Sequence, residues 1–279
     1  MSEAQVWQSL TRNLEDRVAA FEGAAGVALL DLRGSQRVSI NAEEVFPTAS
    51  TIKIAILAHL LELAHQGVLD LSRRVVVDAS HRVPGSGVLN LFEDPVELTM
   101  RDVAVLMIDV SDNVATNLCI DWSTPEGINE MLRRLGLRKT TLRRKMQDED
   151  AISRGDENVA TPAELVELLR QLFSGEGLSG PVCAETLRIL RKPKHGMFQP
   201  GLPEDLELAS KPGAMSRVRN DAAVVYLPRR PYVLCVMSAW GPDDRIAQER
   251  FVAGIAGAVH QRMATLDATS VYGQGLPPP

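Results

Sequence analysis

Hydrophobic positions along this chain switch between a helical and an extended period, and the order of the switches predicts the architecture. Between residues 4 and 21, Val6, Trp7, Leu10, Leu14, Val18 and Phe21 recur mostly at spacings of three and four, the stripe of an amphipathic helix that Gly23 stops. Apolar runs over 26–32 and 36–40 flank Arg33-Gly34-Ser35 and predict two antiparallel strands joined by a short turn. From Ser50 to about residue 190 the pattern is helical, with helices predicted over 52–65, 100–110, 113–122, 125–135 and 162–172. Thr99 and Thr161 are good N-caps, and Pro125 and Pro162 fit first-turn positions, where a missing N–H costs nothing. Strands return over 222–227 and 232–240 around Pro228-Arg229-Arg230-Pro231, and a last helix is expected from about 243 to 263. Leu276-Pro277-Pro278-Pro279 reads as a disordered tail.

A sheet assembled from both ends of a sequence around a helical insertion gives an α/β chain of the α+β type. The expected fold is an antiparallel sheet flanked by the N- and C-terminal helices, with an inserted all-helical lobe. The expected division places 1–48 with 192–279 in the sheet lobe and 49–191 in the helical lobe, with a cleft between them where a site forms. No internal repeat and no long linker interrupts the chain, so the two lobes interleave.

Composition narrows the function. With 279 residues, 45% of them hydrophobic, the chain is long enough to bury a large core, and its formal charge of −6 offers no basic stripe for nucleic acid. The start, Met1-Ser2-Glu3-Ala4-Gln5, lacks the blocks of a secretory signal, and no apolar stretch reaches membrane-span length. The expectation is a cytoplasmic protein as written, or a periplasmic or extracellular one where a leader has been removed, with no membrane partner. Cys119, Cys183 and Cys235 are scattered and read as small core residues, with neither disulfide nor zinc expected. His59, His65, His81, His195 and His260 show no paired spacing, so no metal and no cofactor is expected.

Three short elements carry the candidate chemistry. Ser50-Thr51-Ile52-Lys53 opens an apolar helix, which puts Ser50 and Lys53 one turn apart on one face, so that an amine can reach and activate a hydroxyl. Ser111-Asp112-Asn113 lies between two predicted helices, where the same residues also serve as helix punctuation. Ser210-Lys211-Pro212-Gly213-Ala214 precedes the last hairpin, where small residues let a ligand approach the backbone.

In this order and at these separations, the three elements resemble the Ser-x-x-Lys, Ser-Asp-Asn and Lys-Thr-Gly set of class A β-lactamases and penicillin-binding proteins. The resemblance extends over most of the chain, including the Gly155-Asp156-Glu157-Asn158 stretch that leads into Thr161-Pro162. It implies a serine hydrolase with Ser50 as nucleophile, Lys53 as its base and Ser111 as proton relay to the leaving nitrogen. Lys211 would hold the field around Ser111 and Lys53. Asn113 would bond the substrate amide or Lys53, and the N–H groups of Ser50 and Ala214, beside Gly213, would form an oxyanion hole. The implied partner is a small β-lactam, peptide or ester, with a D-amino-acid peptidase, an esterase or a non-hydrolytic penicillin-binding protein as the alternatives. Monomer and dimer stay open.

Two departures from the family pattern shape that expectation. Lys211-Pro212-Gly213 stands where the family has Lys-Thr-Gly, so the hydroxyl that grips a substrate carboxylate is absent, and Ser216, Arg217 or Arg219 are its candidate replacements. Counting back from Thr161-Pro162, the family's deacylation glutamate falls on Lys145 and its companion asparagine on Glu149. Glu149 is a candidate substitute base, although Asp148 and Asp150 beside it also fit a solvated acidic turn. Acylation with slow release is therefore expected.

Overall fold

The structure, a computed structural model, describes residues 2–34 and 36–277. The chain divides into two compact units, Met1–Thr51 with Thr161–Arg170 and His195–Pro279, and Ile52–Ala160 with Gln171–Lys194. Thr161–Arg170, read from the sequence as part of the helical insertion, groups with the sheet unit.

In the first unit, α1 (Glu3–Ala19) begins at a capping box formed by Ser2 and Gln5 and buries Trp7, Leu10 and Leu14. Strands β1 (Ala24–Asp31) and β2 (Arg37–Ile40) follow, paired antiparallel with Val27 opposite Ile40. Ser35, in the expected turn between them, lies outside the described residues. The two-residue strand β3 (Phe46–Pro47) precedes a 3₁₀ turn, Ala49–Ile52.

Two short strands and six helices belong mainly to the second unit. They are α2 (Lys53–His65), β4 (Arg74–Val77), β5 (Val96–Thr99), α3 (Met100–Asp109), α4 (Asn113–Ser123), α5 (Pro125–Arg134), α6 (Glu149–Ser153) and α8 (Gly180–Leu190). Between them in the chain come β6 (Val159–Ala160) and α7 (Pro162–Ser174), whose first part belongs to the sheet unit. Ten consecutive residues of α2, Lys53 through Glu62, are buried, so it is the central helix of this unit, apolar nearly all round. The expected all-helical lobe is corrected: β4 and β5 form an antiparallel ribbon with Val75 opposite Leu98, and β6 is a further short strand. The β-branched run Val75-Val76-Val77 favours an extended backbone, and its distant partner Val96–Thr99 completes the ribbon. The sequence pattern also missed α6 and α8.

The first unit closes with β7 (Leu208–Met215), β8 (Val218–Val225), β9 (Tyr232–Ala239) and α9 (Arg245–Asp267). The sheet order is β2-β1-β9-β8-β7, all pairs antiparallel. Helices α1 and α9 pack together, and Leu10, Leu14, Val252, Ile255 and Val259 form one core with Val27, Leu29, Ala223, Val225, Leu234 and Val236. Expected over 222–227, β8 begins four residues earlier, because Arg219-Asn220-Asp221 lie in the strand against their own propensity. The tail expectation is corrected too. Thr269 bridges to Gly275, and Leu276 N–H donates to Ala268 O, so the chain stays tied to the end of α9 as far as Leu276, while 278 and 279 lie outside the described residues.

Asp221 explains how such a polar run is tolerated. Its fully buried carboxylate accepts the N–H groups of Met197 (2.8 Å) and Phe198 (3.1 Å), anchoring the turn that drives Phe198 into the core. Burial pushes the Asp221 carboxyl up to about 6, against those two N–H groups and the charge of Lys211, which pull it down.

Two predictions follow from this anchor. Phe198→Ala removes a completely buried ring and lowers stability by about 3–5 kcal/mol in a denaturant titration, an unchanged midpoint excluding Phe198 from the core. For Asp221, a carboxyl that keeps its proton to higher pH when folded than when unfolded makes the protein lose stability as pH rises from about 4 to 6. Asp221→Asn does not titrate, so its stability relative to the parent rises through that window, by up to about 3 kcal/mol, and is flat above it. A pH-independent difference between the two proteins would contradict the buried acid.

Candidate active site

Ser50 sits in the 3₁₀ turn Ala49–Ile52, which runs directly into α2, so Ser50 and Lys53 share the continuous start of one helix. The turn is held by Thr51 N–H and Thr51 Oγ1, both donating to Thr48 O. Ala49, just before Ser50, has φ of 46°, a left-handed backbone that costs a residue with a Cβ about 1–2 kcal/mol. Such strain is typical of positions where the direction of the next side chain matters.

Lys53 is fully buried, and its neighbours are chosen for an amine. Nζ lies 2.8 Å from Ser111 O, 3.1 Å from Ser111 Oγ and 3.2 Å from Asn113 Oδ1. Two of these oxygens can only accept, whereas the hydroxyl can also donate. An ammonium donates to all three. A neutral amine donates to the two carbonyl-type oxygens and offers its lone pair to the Ser111 hydroxyl. The cluster therefore satisfies Lys53 in either protonation state, which a base that cycles through both requires.

Ser111-Asp112-Asn113 breaks the chain between α3 and α4 with Ser111 at φ 55°. The buried Asp112 is the strut. Its Oδ1 accepts Ala115 N–H and caps α4, while Oδ2 accepts the N–H groups of Val88 (2.7 Å) and Leu89 (2.8 Å). Asn113 N–H donates to Ser86 O, and its Nδ2 donates to Pro84 O. The loop 84–89 is thereby strapped along the motif, and it comes so close that a Cβ on Gly87 would overlap the Asp112 carboxylate. Gly87 also has φ of 116°, which only glycine adopts without strain. Asp112 and this glycine loop were missed as functional supports, and Pro84-Gly85-Ser86-Gly87 was the signal available.

In the sheet unit, Lys211 is buried on β7, its Nζ donating to Pro212 O at 2.9 Å. β7 is the edge strand, so Pro212 is tolerated there without an N–H. Gly213 lies opposite Asn220, and a Cβ on it would sit 2.8 Å from Thr48 O and 2.9 Å from Ser50 N. The strand thus crosses the Ser50 turn at backbone contact. Asn220, another residue missed in the sequence, donates to Pro47 O and Thr48 O and accepts Ser238 N–H, locking that turn to β8 and β9. Ala214 is exposed next to Gly213.

The remaining candidates lie as follows. Ser216 and Arg217 form the exposed β7–β8 turn, with Arg217 donating to Gly241 O. Arg219 points its guanidinium at Met215 O and Val218 O and pairs with Glu249, so its charge is already engaged within its own unit. Glu149 is exposed in the first turn of α6, behind the cap Asp148. Lys145 pairs with Asp121, and the next residue, Met146, is clamped by Asn117, which exchanges hydrogen bonds with its N–H and C=O. Met146 is buried, so the side chain this clamp turns inward is a thioether.

The family model of the beta-lactamase enzyme family matches residues 9–263. A β-lactamase from Streptomyces albus G is 30% identical over 261 residues, covering 87% of this chain and 82% of that protein. The crystal structure of a β-lactamase from Sphaerobacter thermophilus is 30% identical with a TM-score of 0.84, covering 92% of this chain and 98% of that one. A PBP-A leucine-to-glutamate variant, seen as an acyl-enzyme complex with penicillin G, is 25% identical with a TM-score of 0.81, covering 94% and 97%. With the α+β fold, the serine-to-lysine helix start and the extent of these matches, the chain belongs to the beta-lactamase enzyme family and is a β-lactamase-like serine hydrolase.

Proposed function

We propose that this enzyme opens β-lactams by forming an acyl-enzyme at Ser50 and releases the product slowly. The observation that carries the reading is the buried Lys53 amine, one turn from Ser50, with oxygens that satisfy it in both protonation states. In the proposed step Ser50 Oγ attacks the lactam carbonyl carbon and gives its proton to neutral Lys53. The C–N bond then breaks, and the Ser111 hydroxyl hands a proton to the leaving nitrogen while Lys53 returns one to Ser111. The N–H of Ser50, with that of Ala214 beside the glycine crossing, is assigned to the carbonyl oxygen as its charge develops. Lys211 and Gly213 border the same turn and are assigned to substrate binding, Asn113 to the substrate's amide.

Slow release rests on the loop 143–158. Turnover needs a base for water, and the residue at the expected place, Lys145, is paired with Asp121, while Met146 beside it is a buried thioether. Glu149 is the remaining carboxylate proposed for that task, from an exposed position. With the Lys-Thr-Gly hydroxyl absent, Ser216 is the proposed grip for a substrate carboxylate, since Arg219 is held by its own hairpin and Glu249, and Arg217 by Gly241 O. The likeness to PBP-A, whose leucine-to-glutamate variant is seen as an acyl-enzyme with penicillin G, supports the acyl-enzyme part of this reading.

Intact mass spectrometry of the protein with penicillin G, followed over time beside Ser50→Ala, tests both parts. The expected result is an adduct that persists on the parent and is missing from the variant. An adduct that vanishes as fast as it forms overturns slow release and leaves the hydrolase. No adduct together with no consumption of penicillin G removes β-lactams as substrate and leaves ester and D-amino-acid peptide substrates.

A further inference from the structure

A cavity of the first unit shares no residue with the Ser50 site. Its volume is about 460 Å³, in the size range of small-molecule sites, and it is lined from the start of α1, the β1–β2 turn, the β8–β9 turn, the end of α9 and the tail hairpin 269–276. Four arginines, Arg33, Arg229, Arg230 and Arg262, stand there against two carboxylates, Glu3 and Asp267. In a chain of net charge −6 that is a local reversal of sign.

The hydrogen bonds show which of these charges are already engaged. Arg230 donates to Glu3 Oε1 at 2.7 Å and lies 3.5 Å from the fully buried Asp31 carboxylate, so its charge is balanced. Asp267 Oδ1 accepts the N–H groups of Arg229 (2.7 Å) and Arg230 (2.6 Å), which ties the β8–β9 turn to α9. Arg33 and Arg229 each give one side-chain N–H to a backbone oxygen, of Arg229 and Pro277 respectively, which orients the two guanidinium groups without neutralising them. Among the described residues Arg262 has no hydrogen-bond or ion-pair partner. Three cations therefore line the cavity with Asp267 as the acid that remains to balance them.

The rest of the wall is apolar. The hairpin 269–276 is closed by a Thr269–Gly275 bridge, with Ser270 N–H donating to Gln274 O and Leu276 N–H to Ala268 O. It nevertheless presents Val271 and Tyr272 at 70% and 93% exposure, beside Val6 and Leu266. Ordering such a loop costs backbone entropy that these uncovered side chains do not offset, whereas a ligand in the cavity would cover them.

We propose that this cavity binds a small amphipathic anion, an organic carboxylate whose acid group meets Arg33, Arg229 and Arg262 and whose apolar body lies against Leu266, Val271 and Tyr272. The excess of cations calls for an anion, and the apolar wall calls for a body that inorganic anions lack. A guanidinium oriented by one backbone bond keeps further N–H groups in its plane for a carboxylate, which suits the acid to a forked grip.

Isothermal titration calorimetry with octanoate, octanamide and inorganic phosphate tests the site on the parent protein and on the double variant Arg33→Ala/Arg262→Ala. Both side chains are exposed, so the variant is expected to keep the parent's unfolding midpoint. Octanoate is expected to bind the parent more tightly than octanamide or phosphate, and to lose roughly tenfold or more in affinity in the double variant. Tyr272→Ala, which alters only an exposed side chain, is expected to weaken octanoate and leave phosphate unchanged. The inference is overturned by no octanoate binding to the parent, by octanamide or phosphate binding as tightly as octanoate, or by octanoate binding that neither variant weakens.

Discussion

A buried amine is the constraint from which most of the second unit follows. Removing an ionisable group from water costs several kcal/mol unless its hydrogen bonds are replaced, and Lys53 is fully buried. Its replacement oxygens come from Ser111 and Asn113, which must be held still by something other than Lys53. That support is Asp112, itself buried and therefore in need of donors, which it finds in Ala115, Val88 and Leu89. Those donors come close enough only because Gly87 has no side chain. Each polar group brought out of water recruits the next, and the sequence ends in glycine because only backbone can approach backbone so closely. The order of dependence explains why a Ser-Asp-Asn triplet that looks like ordinary helix punctuation has so little freedom.

The sheet unit solves a comparable problem by different means. The Ser50 turn presents the Pro47 carbonyl and the Thr48 carbonyl, the latter already taking two donors from Thr51, and Asn220 donates to both while its own oxygen takes Ser238 N–H. Gly213 lets the edge strand pass the same turn at contact distance. A polar run of Arg219, Asn220 and Asp221 in a fully buried strand is thus three separate solutions to backbone hydrogen bonding: the hairpin turn, the serine turn and the 197–198 turn. What it costs in strand propensity it returns as fixed positions for loops that have no regular structure.

Much of this was legible in the sequence where a residue's role is periodic or local. The stripe of α1, the run of β1, the first-turn prolines of α5 and α7, and the one-turn spacing of Ser50 and Lys53 all depend on near neighbours. What could not be read depends on distant partners. Arg219-Asn220-Asp221 looks like a loop until the carbonyls and N–H groups that satisfy it are known. Gly85 and Gly87 carry no periodic signal, and their place is explained only by Asp112 and Asn113 against them. The ribbon of β4 and β5 pairs segments twenty residues apart, which no window of hydrophobic period detects. Arg219 read as an available charge, yet its nearest acceptors are carbonyls of its own hairpin, a contact set by strand register.

The same distinction bears on the proposed separation of acylation from release. The groups assigned to acylation stand at helix starts and strand crossings, each tied by several hydrogen bonds, so their geometry is a property of the fold. The group proposed to activate water belongs to the loop 143–158, whose backbone anchors include Asn117 on Met146 and Asn158 on the N–H groups of Arg143 and Arg144, beside the side-chain pair Arg144–Glu157. The two asparagines grip backbone and are indifferent to the side chains of the residues they hold. A loop held at these points by its backbone can exchange a carboxylate for an ammonium, a thioether or an amide without losing its path, whereas exchanging Lys53 takes from Ser111 O and Asn113 Oδ1 the donor that they share. Within one fold, the capacity to release an acyl group is then free to vary while the capacity to form it is not.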